Sequence, residues 1–144
     1  MIREAENEDL AALAGLAASL WPHHAPDELA REFSGMLTDG DVRLFLQCEG
    51  DVPVGFAQCQ LRRDYVEGAQ TSPVGYLEGI FVRPDCRRRG YATALLAACE
   101  TWARERGCTE FASDCELNNG DSIAFHRAMR FAQANRIVCF VKRL

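Results

Sequence analysis

The chain has 144 residues, 48% hydrophobic and 26% charged, with a formal net charge of −5, which suits one globular domain over 1–144 and is too short for two domains and a linker. The acidic balance disfavours nucleic acid as a partner and suits a cationic substrate. No apolar run approaches the roughly 20 residues that cross a bilayer, and Met1-Ile2-Arg3-Glu4-Ala5-Glu6 lacks the pattern of a signal peptide, so no membrane contact and a cytoplasmic location are expected.

Asn7 is placed to cap a helix in which Leu10, Leu13, Leu16, Ala17 and Leu20 recur at helical spacing until Trp21-Pro22 breaks it. Pro26-Asp27-Glu28 opens a second helix, because proline suits the first turn and acids the positive end; Leu29, Phe33 and Met36 or Leu37 supply its apolar face. Val42, Leu44, Leu46 and Cys48 then alternate as a strand. After the turn at Gly50-Asp51-Val52-Pro53, the run from Val54 to about Val66 reads as its hairpin partner. A turn near Glu67-Gly68 leads into a strand from Gly75 to Val82, ended by Arg83-Pro84. A helix follows from about Arg89 to Arg106, with Tyr91, Leu95, Ala98 and Trp102 on one face and Gly107 as its stop. Thr109 to Cys115 reads as a strand, Asp121 to about Met129 as a short helix, and Arg136 to Val141 as a closing apolar strand. The seven cysteines are odd in number and form no C-x-x-C pair, so free, mostly buried thiols are expected and no metal site.

The chemistry concentrates where strand, basic turn, glycine and long helix follow one another in Ile80-Phe81-Val82-Arg83-Pro84-Asp85-Cys86-Arg87-Arg88-Arg89-Gly90-Tyr91-Ala92. A glycine turn at a helix N-terminus presents unpaired N–H groups and the positive end of the helix dipole, and the arginines add charge suited to a pyrophosphate. Isolated, the arginine triplet would read as a solvated helix start; its setting favours the anion site. Neither G-x-G-x-x-G nor G-x-x-x-x-G-K-[ST] occurs, so a dinucleotide or nucleoside-triphosphate fold has no support.

Arg87-x-x-Gly90-x-Ala92, preceded by Val82-Arg83-Pro84 and followed by the long helix, resembles the coenzyme loop of the GNAT acetyltransferases. The resemblance implies a mixed α/β (α+β) fold with a central, mostly antiparallel sheet flanked by helices, and acetyl-CoA as co-substrate. It implies pantetheine pairing with the backbone of Ile80, Phe81 and Val82, phosphate contacts from Arg87, Arg88, Arg89, Gly90, Tyr91, Ala92 and Thr93, and a pantetheine contact from Asn119. Where the family often has a tyrosine as acid for the leaving thiolate, this chain has His126, a residue able to donate a proton near neutral pH. Two readings of His126 stay open, the acid and a packed helix residue. Arg130 replaces the family's usual glycine.

Three longer blocks, Arg63-Asp64-Tyr65-Val66-Glu67-Gly68, Thr71 to Ile80 and Cys108-Thr109-Glu110-Phe111-Ala112-Ser113-Asp114, are similar to a subgroup of aminoglycoside 6'-N-acetyltransferases. That likeness implies antibiotic contacts from Trp21, His24, Tyr65, Glu78 and Asp114. Asn135 is neutral where the subgroup can carry a glutamate. Aminoglycosides are polycations, so carboxylates at Glu78 and Asp114 suit them. A carboxylate inside an apolar strand must be paired or functional, and Glu78 is the expected catalytic group that orients the amine or relays its proton. Trp21 also reads as a core anchor, His24 as an exposed loop residue and Asp114 as a strand-end cap. The implied reaction is direct attack of the 6'-amine on the thioester in a ternary complex, conferring antibiotic resistance. Another amine acceptor, or an acyl-CoA-binding module without catalysis, is the alternative. A homodimer through the closing strand is expected.

Overall fold

In the computed structural model, which describes residues 1–144, the chain begins with a strand, β1 (Ile2–Glu4), that pairs antiparallel with β2 (Val42–Glu49). Three residues are too few to print a period-2 pattern, so the sequence carries no signal for it. Arg3 reaches back from β1 to make a forked pair with Asp9 at 2.6 and 2.7 Å, and the Asp9 carboxylate also accepts the Glu6 N–H at 2.8 Å. The hydrogen bonds from Arg3 hold the Asp9 carboxyl below the usual carboxylate range. Asp9 therefore sets the helix entrance in place of the expected Asn7, which lies inside a 3-10 turn (Asn7–Asp9) leading into α1 (Leu10–Leu20).

Pro26 stands in the first turn of α2 (Pro26–Met36), as expected. Leu13, Leu16 and Ala17 of α1 and Leu29 and Phe33 of α2 bury against Leu44, Leu46 and Phe56 on one face of the sheet. The opposite face is covered by α3 (Tyr91–Glu105), whose Leu95, Leu96, Cys99 and Trp102 pack on Ala57, Cys59 and Leu77. Between these layers run β2, β3 (Val52–Arg62), β4 (Val74–Val82) and β5 (Phe111–Ser113) in the order β1-β2-β3-β4-β5. Every pairing is antiparallel except the parallel β4–β5 pair. α4 (Gly120–Ala128) completes the elements, and no helix is long and apolar enough to cross a membrane. Cys48, Cys59, Cys86, Cys99 and Cys108 are buried free thiols, and Cys115 and Cys139 are exposed.

Two features of the sheet shape the site. The β4–β5 ladder joins Gly75, Tyr76 and Leu77 to Phe111, Ala112 and Ser113 and stops there. Beyond Leu77, β4 keeps only β3 as a strand neighbour and its other edge opens. At the same point the β3–β4 register jumps from Gln58↔Gly79 to Cys59↔Leu77, which leaves Glu78 as the extra residue of a β-bulge. A bulge re-aims the side chain it carries.

One expected strand does not form: Arg136 to Val141 is irregular and lies in solvent, with Phe140 92% and Val141 95% exposed. A strand needs a partner ladder for its N–H and C=O groups. On that side the chain's own sheet ends in β5, which is only three residues long.

Candidate active site

The candidate coenzyme loop is built from backbone. Gly90 has φ +78°, and a Cβ added there would meet nothing within 4 Å. Its glycine is therefore selected by conformation, which L side chains rarely adopt, and by open space in front of it. It is also the N-cap of α3, and the first helical bond from this turn runs from the Ala94 N–H to the Gly90 carbonyl at 3.0 Å. The N–H groups of Gly90, Tyr91, Ala92 and Thr93 stand ahead of that bond and form the unpaired first turn. These donors and the open edge of β4 at Ile80, Phe81 and Val82 fit a pyrophosphate and an extended amide arm, as acetyl-CoA has.

The three loop arginines are not equivalent. Arg87 Nε donates to the Val82 carbonyl at 2.9 Å and so ties the loop to the end of β4. Arg89 pairs with Glu49 and donates to the Asp85 carbonyl at 3.3 Å, and the Tyr91 hydroxyl also donates to Glu49, at 2.8 Å. Arg88 is exposed and itself has φ 61°. Glu49, which no motif singles out, thus fixes two residues of the loop.

The polar side of the site is built from side chains. On β3 the face that carries Phe56 under the helices becomes polar at Gln58, Gln60 and Arg62, with Arg62 opposite Val74 and Gln60 opposite Tyr76. Arg62 makes a forked pair with Glu78, Nε and a terminal nitrogen to Oε1 at 2.9 and 2.7 Å and the same nitrogen to Oε2 at 2.9 Å. Its guanidinium lies 3.4 Å from the centre of the Tyr76 ring, and the Tyr76 hydroxyl donates to Asp114. Burial, with Asp114 second, raises the Tyr76 hydroxyl well above the ordinary tyrosine value. Glu78 and Asp114 therefore belong to one chain of contacts through Arg62 and Tyr76.

Trp21 sits beside this chain. Its ring meets Phe56 edge-on at 5.9 Å, and a Cβ on Gly79 would come within 2.6 Å of it. The residue is thus a core neighbour of Phe56 that also packs on Gly79, next to Glu78. His24 is exposed on the loop between α1 and α2, held by its N–H to the Trp21 carbonyl at 3.1 Å. Tyr65 is 81% exposed. Its hydroxyl donates to Glu67 at 2.6 Å, and Asn135 donates to the other Glu67 oxygen at 2.8 Å. Asn135 thereby holds a carboxylate where it has none of its own. The loop carrying Tyr65 and Glu67 is tied to the sheet edge by Glu110, which accepts the N–H groups of Gln70 and Thr71 at 2.9 and 2.8 Å.

His126 is fixed at both ring nitrogens. Nδ1 faces the Ser122 carbonyl at 2.6 Å, an acceptor only, so Nδ1 carries a hydrogen. Nε2 lies 2.8 Å from Ser113 Oγ, and that hydroxyl lies 3.3 Å from the Leu77 carbonyl. Ser113 thus stands between His126 and the point where β4 and β5 part, an arrangement able to pass a proton. Asn119 caps α4 by accepting the Ser122 N–H at 3.1 Å, leaving its NH2 group as the part able to meet a ligand. Tyr76, Asp114, Ser113, His126, Glu67 and Asn135 line one cleft of about 630 Å³.

The model of the acetyltransferase (GNAT) family matches residues 7–131. Aminoglycoside N(6')-acetyltransferase type 1 of Stenotrophomonas maltophilia is 43% identical over 140 residues, 96% of this chain and 90% of that protein. The protein of the same name from Acinetobacter baumannii is 40% identical over 144 residues, 99% of this chain and 96% of its own. The chain belongs to the GNAT acetyltransferases, among the aminoglycoside 6'-N-acetyltransferases. Among solved structures, AAC(6')-Iy in complex with the bisubstrate analogue CoA-S-monomethyl-acetylneamine superposes with a TM-score of 0.95 at 37% identity, covering 100% of this chain and 98% of that one. Apo AAC(6')-IG of Acinetobacter haemolyticus gives 0.95 at 35% identity, with 100% and 99% covered.

For this GNAT chain the sequence reading missed Arg62, Tyr76, Glu67, Ser113 and Glu49. Arg62 and Tyr76 become visible only once β3 and β4 are paired in register. Ser113 and Glu67 lie inside the blocks similar to the aminoglycoside subgroup but carry no chemical signal of their own.

Proposed function

We propose that this enzyme transfers acetyl from acetyl-CoA to the 6'-amino group of aminoglycosides by direct attack of the amine in a ternary complex. The observation that carries the reading is the pair of carboxylates, Glu78 and Asp114, set beside the parting of β4 and β5 and next to a helix N-terminus open to phosphates. Acetyl-CoA supplies an activated thioester when bound. The open edge of β4 orients its arm and offers N–H groups to the thioester carbonyl. Glu78 orients the amine and accepts its proton through water; the amine nitrogen bonds to the acetyl carbon as the carbon–sulfur bond breaks. The Ser113 hydroxyl gives its proton to the leaving thiolate and takes one from Nε2 of the imidazolium form of His126, whose Nδ1–H stays on the Ser122 carbonyl. Most of the rate enhancement then comes from positioning.

Trp21, His24 and Tyr65 meet the sugar rings, while Asp114 and the Glu67 carboxylate held by Asn135 take ammonium groups. Acetylation replaces a charged amine by a neutral amide, the basis of the resistance role. Residues 1–144 act as a single cytoplasmic domain without nucleic-acid or membrane partners. In solution it is a homodimer: Ile137, Val138, Phe140 and Val141 are exposed apolar side chains near a short edge strand, and a second copy would cover them. Phe140→Glu combined with Val138→Glu is expected to yield monomers by light scattering; a monomeric wild type would end the dimer assignment.

The catalytic test is free-thiol release across an aminoglycoside panel with polyamines as controls. Release is expected with 6'-amino compounds and not with their 6'-hydroxyl counterparts. Faster release with polyamines would transfer the assignment to another amine, and coenzyme binding without release for any amine would leave a binding module.

A further inference from the structure

An aminoglycoside arrives as a polycation, yet the nitrogen that attacks a thioester must be a neutral amine. A lone carboxylate beside that nitrogen works against the reaction, because an opposite charge within about 4–6 Å favours the protonated form. Glu78 is not alone. The bulge at Gln58/Cys59 aims it at Arg62, and the guanidinium takes it in the forked geometry that fixes a carboxylate plane. Arg62 itself sits over the Tyr76 ring, 3.4 Å from its centre, and Tyr76 is anchored through its hydroxyl to Asp114. A carboxylate offers about four acceptor positions. Arg62 uses two on Oε1 and one on Oε2, so one position on Oε2 stays open to a substrate N–H.

We infer that Arg62 is a positioning residue that locks Glu78 in one orientation and offsets its charge, so that the bound 6'-amine releases its proton near neutral pH. The inference rests on the acceptor assignment made above. Other charged and titratable groups on the elements around this point are Tyr76 on β4, Asp114, Cys115 and Glu116 after β5, Asp64, Tyr65 and Glu67 on the β3–β4 loop, His23 and His24 on the α1–α2 loop, and Asp121, His126 and Arg127 on α4. Arg63 turns away to Asp41 at 3.0 Å. Of the two carboxylates joined in this chain, Glu78 is the one paired with an arginine, and Asp114 accepts from a neutral hydroxyl. Asp114 therefore keeps its full attraction for an ammonium group, while Glu78 is suited to a neutral amine.

The experiment measures kcat and KM by thiol release from pH 6 to 9.5, with a 6'-amino aminoglycoside, for wild type, Arg62→Met and Arg62→Lys. In Arg62→Met the unbalanced carboxylate should shift the pH dependence of kcat about one unit to the alkaline side. That lowers kcat about tenfold at pH 7 and lets it approach wild type by pH 9.5, with no rise in aminoglycoside KM. Arg62→Lys keeps the charge and should keep the wild-type pH profile. A pH-independent loss in Arg62→Met with raised KM, or a lysine variant no better than the methionine one, would overturn the inference and leave Arg62 a structural support. If Arg62→Met fails to fold, Arg62→Gln is read against the same criteria. Failure of the unmodified enzyme to release thiol with any aminoglycoside would refute the acceptor assignment instead, and with it this role; that result is read before any variant.

Discussion

The proposed coenzyme loop from Arg87 to Thr93 and the proposed substrate side of Arg62, Tyr76, Glu78 and Asp114 lie at the same sheet opening but are held by different forces. In the loop, main-chain N–H groups are fixed by dihedral angles, with Gly90 in the left-handed region at φ +78°. On the substrate side, side chains from two strands and a strand end are fixed by ionic and hydroxyl hydrogen bonds across 16 and 38 residues of sequence. A backbone site tolerates change in most side chains but not in conformation. A side-chain site tolerates neither loss of charge nor loss of a partner.

The largest effect is expected on the substrate side. Glu78→Gln removes the proton acceptor and should lower kcat about 100-fold or more, within the range for general-base loss, while KM for acetyl-CoA stays within about twofold on the same scale of effects. Unchanged kinetics would take Glu78 out of the mechanism. In the loop, Gly90→Val should raise KM for acetyl-CoA about tenfold, since left-handed backbone costs such a residue roughly 1–2 kcal/mol and the side chain blocks the phosphate approach. Because nothing lies within 4 Å of that Cβ, no packing clash adds to the loss; a collapse in folding instead of coenzyme affinity would contradict the backbone account.

Smaller effects separate charge from shape. Asp114→Asn keeps an acceptor for the Tyr76 hydroxyl but removes a charge, and should raise aminoglycoside KM several-fold, up to about tenfold, with acetyl-CoA binding unchanged. Gly79→Ala pushes the Trp21 ring aside and should cost a few-fold in aminoglycoside KM alone, about 1 kcal/mol or less of binding. The smallest change is spectroscopic. All three tyrosines have raised hydroxyl pKa values: Tyr76 chiefly by burial, Tyr65 and Tyr91 chiefly by their bonds to Glu67 and Glu49. Raised values keep the neutral form as pH rises, so tyrosinate absorbance should appear only above the ordinary value of about 10. Glu67→Gln should return one tyrosine to that value, whereas Asp114→Asn should leave Tyr76 high; the reverse would misassign the causes.

The contrast also explains what could be read from the chain. Arg87-x-x-Gly90-x-Ala92 with its flanking strand and helix is contiguous, so the loop, α3 and the β4 end were legible. Glu78 was legible as a carboxylate in an apolar strand, but its partner was not, because the Arg62 contact depends on a bulge that pairing alone creates. Asn7 is not the cap that its position suggests, because the helix entrance is set by Asp9 through its pairing with Arg3. The closing strand at Arg136 to Val141 was read from apolar content, yet its single chain supplies no ladder for it. Sequence pattern reports which residues seek burial and leaves open who covers them.

In the proposed reaction the acetyl group goes to one particular nitrogen. The enzyme can be incubated with carbon-13-labelled acetyl-CoA and an aminoglycoside bearing several amines, and the label located by NMR. A single new amide at the 6'-nitrogen is expected. Label at another ring amine, or spread over several, would contradict it.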